Sequence, residues 1–263
     1  MGAGVTVEIG SRNRVLHILQ LFDREQVWTV EAIARAMGVS VSSAYRDVQE
    51  LNQAGFLDPV VGGGYALGPA FIHYDRLIRL NDPLIRPATP IMRALLAETT
   101  QRATAVLCRR YRDCVMCVHQ EHGDAPHPIT TYERGVAMPL FKGATSKAVL
   151  AHLDERVLKR QYLNNETQIR EQLGCSGWLE FREQMQQIRR AGHAITVAEV
   201  APDRVGIAAA VLVGRQVIAG LSLVLHVDDF AGDAVQRFPR AVRSAAAAVS
   251  ERVSPQQPLV ARG

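Results

Sequence analysis

Three groups of residues in this chain have types and spacings that could do chemistry. Ser42, Ser43, Tyr45, Arg46 and Gln49 crowd into one short segment. Hydroxyls, an amide and a guanidinium are the groups that donate to DNA phosphates and read base edges in the major groove. Arg46 is the natural base reader, because a guanidinium takes guanine O6 and N7 together, whereas Ser42 and Ser43 suit phosphate oxygens and Tyr45 a phosphate or a thymine methyl. A second group, Lys142 to Thr145, follows the strand-like Met138 to Phe141 and opens a helical segment. Unpaired N–H groups at such a start form an anion site. The third is the pair Cys114 and Cys117 followed by His119, His122 and His127. On a strand the two cysteines point to opposite faces, so they do not chelate together without a turn, and the histidines would hold a metal only if their stretch curled into a loop. No metal, cofactor or catalytic set is expected: the chain has no G-x-S-x-G, H-E-x-x-H or P-loop.

These groups need elements to position them. Val15, Ile18, Leu19 and Phe22 repeat at helical spacing, and Thr29 caps a second helix with Val30, Ile33, Ala34 and Met37 on one face. Gly38 ends that helix and Ser40 caps a third, whose inner face is expected to be Val41, Ala44, Val48 and Leu51. The intervening turn has the length of a helix-turn-helix. FLDPVVGGGYALG then reads as a hairpin around Gly62, Gly63 and Gly64, which completes a winged helix; Gly63 could let the turn approach a sugar-phosphate strand. A helical stretch from Phe71 to Leu80 leads to Pro83, Pro87 and Pro90, taken as the boundary. Beyond it come a helix from Ile91 to Thr100 and strands at 103–109 and 114–119. Helices at 155–163 and 178–190, three β-prone runs and an Ala-rich helix from 230 to 252 follow. Strands and helices without strict alternation indicate an α+β fold around an antiparallel sheet. The expected domains are a winged helix-turn-helix at 11–68, a linker helix at 69–82 and a sensor domain at 83–253.

With 263 residues, 48% hydrophobic and 21% charged, the chain has the composition of a globular protein able to bury a core. No apolar run is long enough to span a membrane and the N-terminus lacks a signal-peptide pattern, so a cytoplasmic protein with reduced cysteines is expected. The net charge of +4 is not concentrated in the helical N-terminus: residues 1–80 carry seven Arg and no Lys against eight acids, 7 − 8 = −1. DNA binding must therefore rest on placement, with Arg12 and Arg14 ahead of the first helix offsetting Asp47 and Glu50.

SRNRVLHILQLF, TVEAIARAMGVSVSSAYRDVQELNQAGFL, GGGYALG, MPLFKGATSKAVLAHL, AGHAITVAEVAPDRVGIAAAV and VIAGLSLVL, in that order, resemble the IclR family of bacterial transcriptional regulators over residues 11 to 253. The resemblance implies a winged helix, a linker helix and a GAF-like effector-binding α/β domain, assembled as homodimers or tetramers on a double-stranded DNA operator. It implies a repressor or activator whose operator binding responds to a small organic acid. The implied pocket comprises Met138, Leu140, Ala144, Thr145, Glu199, Ala209 and Ser222. Phe141 stands where the family often has His and Ser146 where it has Gly, which points to a bulkier or aromatic carboxylate. The alternative is a small-molecule enzyme or sensor whose N-terminal helices serve only protein contacts.

Overall fold

The computed structural model describes residues 14–124 and 133–253. The chain divides into two compact units between Leu80 and Asn81.

The first unit contains α1 (Arg14–Leu21), α2 (Val30–Met37), α3 (Val41–Gln53), β1 (Leu57–Pro59), β2 (Tyr65–Leu67) and most of α4 (Ala70–Asn81). Thr29 accepts from the Ala32 N–H, and Gly38, at φ +65°, closes α2 with its own N–H on the Ala34 and Arg35 carbonyls. Ser40 accepts from the Ser43 N–H and starts α3 two residues after that glycine. Ile18, Leu21, Ile33, Ala34, Ala44, Val48, Leu51 and Leu57 meet in one core. Val41, expected there, is 50% exposed. Side chains on a helix lean toward its N-terminus, so a first-turn residue projects past the core rather than over it. The inner face instead includes Asp47, 8% exposed and held by Arg14 at 2.8 Å.

In the wing, β1 and β2 pair antiparallel, with Leu57 opposite Leu67. Trp28 adds a third short segment by exchanging backbone hydrogen bonds with Tyr65 at 3.0 and 2.8 Å. Gly62, Gly63 and Gly64 all have φ between +96° and +99°, a region closed to most side chains, so the triplet is what allows this turn. Helix α4 buries none of its 12 residues, and Ile72, Tyr74, Ile78 and Leu80 are exposed along it.

The second unit holds one six-stranded antiparallel sheet in the order β5-β4-β3-β8-β7-β6, with β3 (Thr104–Tyr111), β4 (Cys114–His122), β5 (Ala137–Pro139), β6 (Ala194–Val197), β7 (Arg204–Val213) and β8 (Gln216–His226). One face is packed by α5 (Ile85–Ala97) and α10 (Ala234–Val253), which share a core with Leu107, Ile207, Leu221, Leu223 and Leu225. α6 (Ala144–Leu150), α7 (Glu155–Asn164), α8 (Glu166–Leu173) and α9 (Trp178–Ala191) supply the other face, where Val106, Cys108, Val115 and Cys117 meet Leu150, Leu158, Ile169 and Phe181.

Of the three prolines taken as the boundary, Pro83 follows the division between the units by three residues, and Pro87 and Pro90 lie within α5. Pro87 sits in the first turn, where an N–H has no helical partner to lose, and Pro90 is accommodated inside the helix. Asp82 fixes this start: its Oδ1 accepts from the Leu84 and Ile85 N–H groups at 2.8 and 3.0 Å, and both carboxylate oxygens accept from Arg109 at 2.6 and 2.8 Å. The final helix begins at Ala234 rather than at residue 230, after a 3-10 turn at Val227–Asp229 and Gly232 at φ +60°.

His152, just past α6, faces the Ala148 carbonyl with Nδ1 at 2.9 Å, and burial holds its pKa below the ordinary histidine value. The unfolded chain therefore takes up this proton first as pH falls. Stability is full above about pH 6.5 and declines as pH drops from there toward the lower folded pKa. Denaturant midpoints between pH 7.5 and 5.5 should fall, and fall less in His152→Gln; equal slopes in the two proteins would remove His152 as the cause.

Candidate DNA-reading face and effector pocket

On α3 the residues opposite the core are Ser42, Tyr45, Arg46 and Glu50, all exposed. Tyr45 is 53% accessible. Arg46, the only cation on the helix, has no ion pair among the described residues. Ser43 is half-buried and belongs to the cap, its Oγ 2.9 Å from the Ser40 hydroxyl. The Gln49 amide donates to the Tyr65 hydroxyl at 3.0 Å and so ties the helix to the wing. Gly63 lies at the wing turn with open space around the position a Cβ would take.

Arg14 does not stand apart as a phosphate ligand. Its Nε and Nη2 donate to Asp47 at 2.8 and 3.3 Å, so it neutralises an acid of α3 from within the unit. That pairing leaves Glu50 as the acid on the exposed face and makes the electrostatics of α3 more favourable to DNA than its sequence suggests. Arg12 lies outside the described residues.

In the second unit, β5 carries Met138 against the core and leads into Leu140 and Phe141, both buried. Gly143, at φ +84°, precedes α6. The anion site expected at this junction is occupied from within the protein: the Gly143 N–H donates to Glu199 Oε1 at 2.9 Å, and the Lys147 ammonium reaches Glu199 Oε2 at 2.5 Å. Thr145 Oγ1 donates to Ser222 Oγ at 2.9 Å, and that hydroxyl in turn faces the Val106 carbonyl at 3.4 Å. Glu199, Thr145 and Ser222 are thus gathered around α6.

Two glycines let α6 lie this close to the sheet. A Cβ on Gly220 would stand 2.8 Å from Thr145 Cγ2, and one on Gly206 would stand 3.3 Å from Ala144 Cβ. Ala144 itself is core, packed with Ala148, Ala194 and Ala208. Ala209 lies on the opposite face of the sheet from Thr145 and Ser222: Ser222 pairs with Ala208, while Ala209 pairs with Leu221 and joins the core beneath α10. Strand alternation could have shown this once Ser222 was placed in the pocket. Ser146, which sequence reasoning did not include, is wholly buried, and its Oγ has no hydrogen-bond partner among the described residues.

The cysteines pair differently from the C-x-x-C spacing. Cys117 lies opposite Cys108 across β3 and β4, beside a register shift between Leu107 and Cys108, and both thiols are buried. Burial pushes the Cys108 thiol well up; the hydrogen bond with Cys108 lowers that of Cys117. Cys114 is only partly buried. His119 Nε2 faces Thr89 Oγ1 at 3.1 Å and Glu121 Oε1 at 3.0 Å, so one ring nitrogen meets both partners. His122 Nδ1 meets Thr104 at 3.3 Å, and His127 lies outside the described residues. Among the described residues no group of three or more His, Cys, Asp or Glu could hold a metal ion.

A winged helix with one exposed arginine on its third helix, followed by a sheet domain with a close-packed helix over a gathered polar cluster, defines a DNA-binding regulator with a sensor domain. The profile described as bacterial transcriptional regulator IclR C-terminal matches residues 80–251, and a helix-turn-helix domain profile matches residues 14–65. The chain belongs to the IclR family of bacterial transcriptional regulators. It is 23% identical to the HTH-type transcriptional regulator KipR of Bacillus subtilis over 241 residues, 90% of this chain and 94% of that protein. Among solved structures, an IclR-type regulator from Alicyclobacillus acidocaldarius superposes with a TM-score of 0.73 at 23% identity, covering 94% of this chain and all of the other. An IclR homologue from Microbacterium hydrocarbonoxydans, complexed with 4-hydroxybenzoate, superposes with a TM-score of 0.71 at 19% identity over 93% of this chain and 99% of that one. Among the described residues no helix is long and apolar enough to cross a membrane.

Proposed function

We propose that this chain is a cytoplasmic, homo-oligomeric regulator that binds a pseudo-palindromic operator through α3 and the wing, and that a small organic acid bound at α6 changes its operator affinity. The observation that carries this reading is the placement of Ser42, Tyr45 and Arg46 on an exposed recognition helix in a chain whose remaining length is an IclR sensor domain. Arg46 and the wing make the base and groove contacts, Ser42 and Arg12 contact phosphates, and Arg14, Ser43 and Gln49 hold α3 in position. One arginine per helix collects few contacts, so two copies on half-sites about 34 Å apart are needed for tight binding. The apolar side chains exposed on α4 suit an association of that kind. Chemistry in this protein is binding rather than catalysis.

The effector's apolar body rests against Met138, Leu140 and Phe141, and its polar groups against Thr145, Ser222 and the buried Ser146 hydroxyl. An acid is favoured by the relative that holds 4-hydroxybenzoate. Because Glu199 already takes the Gly143 N–H, the effector's carboxylate draws on other donors around α6. A thermal-shift screen of aromatic and short-chain carboxylates, followed by a salt-dependent gel shift on the upstream DNA, tests this. The cognate acid raises the melting temperature and alters operator binding, whereas its amide does neither; an amide as effective as the acid refutes the carboxylate class.

A further inference from the structure

The α6 side of the sheet holds two thiols that the regulatory reading does not use. Along β3 and β4 the antiparallel register pairs Leu107 with His119, and an uninterrupted ladder would next set Cys108 against Val118. The register shift between Leu107 and Cys108 sets it against Cys117 instead. Side chains directly across an antiparallel pair share one face, and both thiols are buried in the core that holds Leu140, Phe141 and Val149. Residues so paired have Cα atoms about 4.5 to 5.5 Å apart, within the span that a disulfide bridges. Cys114, the other half of the C-x-x-C, lies opposite Tyr111 and takes no part in this pair.

The two sulfurs are chemically unequal. Their mutual hydrogen bond, and then the charge of Arg134, lower the Cys117 thiol, whereas burial above all raises that of Cys108. Cys117 is thus the better nucleophile and Cys108 the proton-bearing thiol beside it. The backbone places Arg134 there: it forms an isolated bridge with Cys117, and the Gly135 N–H donates to the Cys117 carbonyl at 3.1 Å. The edge strand β5 pairs with Cys114, Val115 and Met116 and so ends one residue short of Cys117. Opening the few bonds at this edge admits a small uncharged oxidant, while a bulky one would require much more of the sheet to part.

We propose that Cys108 and Cys117 form a redox-active dithiol, a modification site that a peroxide converts into an intramolecular disulfide. The Cys117 thiolate attacks one peroxide oxygen and the O–O bond breaks. The departing hydroxide takes up the proton that Cys117 gave up and leaves as water, with a sulfenic acid on Cys117. The Cys108 sulfur then attacks that of Cys117: the S–S bond forms, the S–O bond breaks, and hydroxide leaves with the Cys108 proton as a second water. The two sulfurs together lose two electrons, and the two peroxide oxygens gain them. Cys108 also pairs with Gly220 of β8, the position at which Thr145 closes on the sheet, so the bond forms in the wall beneath α6. On the function proposed above, oxidation acts on the surface against which the effector rests; the dithiol itself does not depend on that reading.

The test uses the full chain with Cys114→Ser, which removes the partly exposed thiol and leaves Cys108, Cys117 and Cys175. After exposure to hydrogen peroxide, the thiol count in denaturant falls from three to one, and dithiothreitol restores it. Tryptic digestion without reductant yields fragment 103–109 joined to fragment 113–134, with the loss of two hydrogens. Adding Cys108→Ala prevents the disulfide and leaves a sulfenic acid on Cys117, which dimedone added with the denaturant captures. With Cys117→Ala instead, both remaining thiols survive the same exposure. Three thiols left in the Cys114→Ser chain, or a disulfide that includes Cys175, overturns the proposal. Dimedone capture on Cys108 in the Cys117→Ala chain overturns it as well, because Cys108 would then be the attacking sulfur. Should an alanine variant fail to fold, the joined fragments of the Cys114→Ser chain still decide the pairing. None of these measurements uses DNA or an effector, so their failure leaves the regulator reading standing, and the failure of that reading leaves them intact.

Discussion

Arg46→Ala weakens binding to the cognate operator by about 1 to 3 kcal/mol, roughly 5- to 150-fold, and relaxes the preference at one base pair per half-site. The reason is the isolation of this side chain. Arg46 is the only cation on α3, it is exposed, and it has no ion pair among the described residues. The acid that would have competed, Asp47, is turned inward and held by Arg14. Two further variants separate reading from positioning. Arg14→Ala leaves Asp47, 8% exposed, without its partner, so it lowers the stability of the first unit and weakens every DNA sequence alike. Gln49→Ala frees the helix from Tyr65 and has the same uniform signature at smaller size. Gel shifts against a set of single-base operator variants distinguish the cases. An Arg46→Ala protein that keeps the parental affinity and base preference would place the reading face elsewhere.

That contrast also shows what the sequence made legible. The three N-terminal helices, their caps at Thr29 and Ser40, the glycine stop at Gly38 and the wing glycines were readable because each depends on local backbone chemistry. The longer sheet strands, β3, β4, β7 and β8, were readable because each contains an apolar run. What could not be read was set by partners distant in sequence. Arg14 looks like a DNA contact until the fold brings Asp47 to it across 33 residues. Val41 fits the helical stripe, yet the buried face of α3 begins about one turn later, at Ala44. Ala209 was assigned to the pocket by likeness, and only the register with Leu221 shows that it faces α10. Helix α8 was missed because it buries one side chain, Ile169, which leaves no periodic stripe to detect. The close approach of α6 through Gly206 and Gly220 left no local sign either, since glycine within a strand pattern signals only that some backbone comes near.

The same distinction governs the second large effect, at the junction where a free anion site was expected. Lys147 and Glu199 are separated by 52 residues, and their side chains are 11% and 19% exposed. Glu199 also accepts the Gly143 N–H, so one carboxylate holds the loop before α6, the helix itself and the segment joining β6 to β7. Lys147→Met removes one charge and leaves the other largely out of water. The expected loss is about 2 to 3 kcal/mol of effector-domain stability, below the value for a fully buried pair because both groups retain some solvent. Glu199→Gln keeps an acceptor for Gly143 but strands the ammonium, and its loss is of similar size. The double variant loses less than the two single losses combined, since it leaves no unpaired charge. The two tryptophans make the measurement selective: Trp28 reports the first unit and Trp178 the second, so denaturation followed by fluorescence in a Trp28→Phe background reads the sensor domain alone. Strictly additive single losses would mean that Lys147 and Glu199 act independently, and the junction would then be held by its backbone hydrogen bonds and the close packing of α6 rather than by the ion pair.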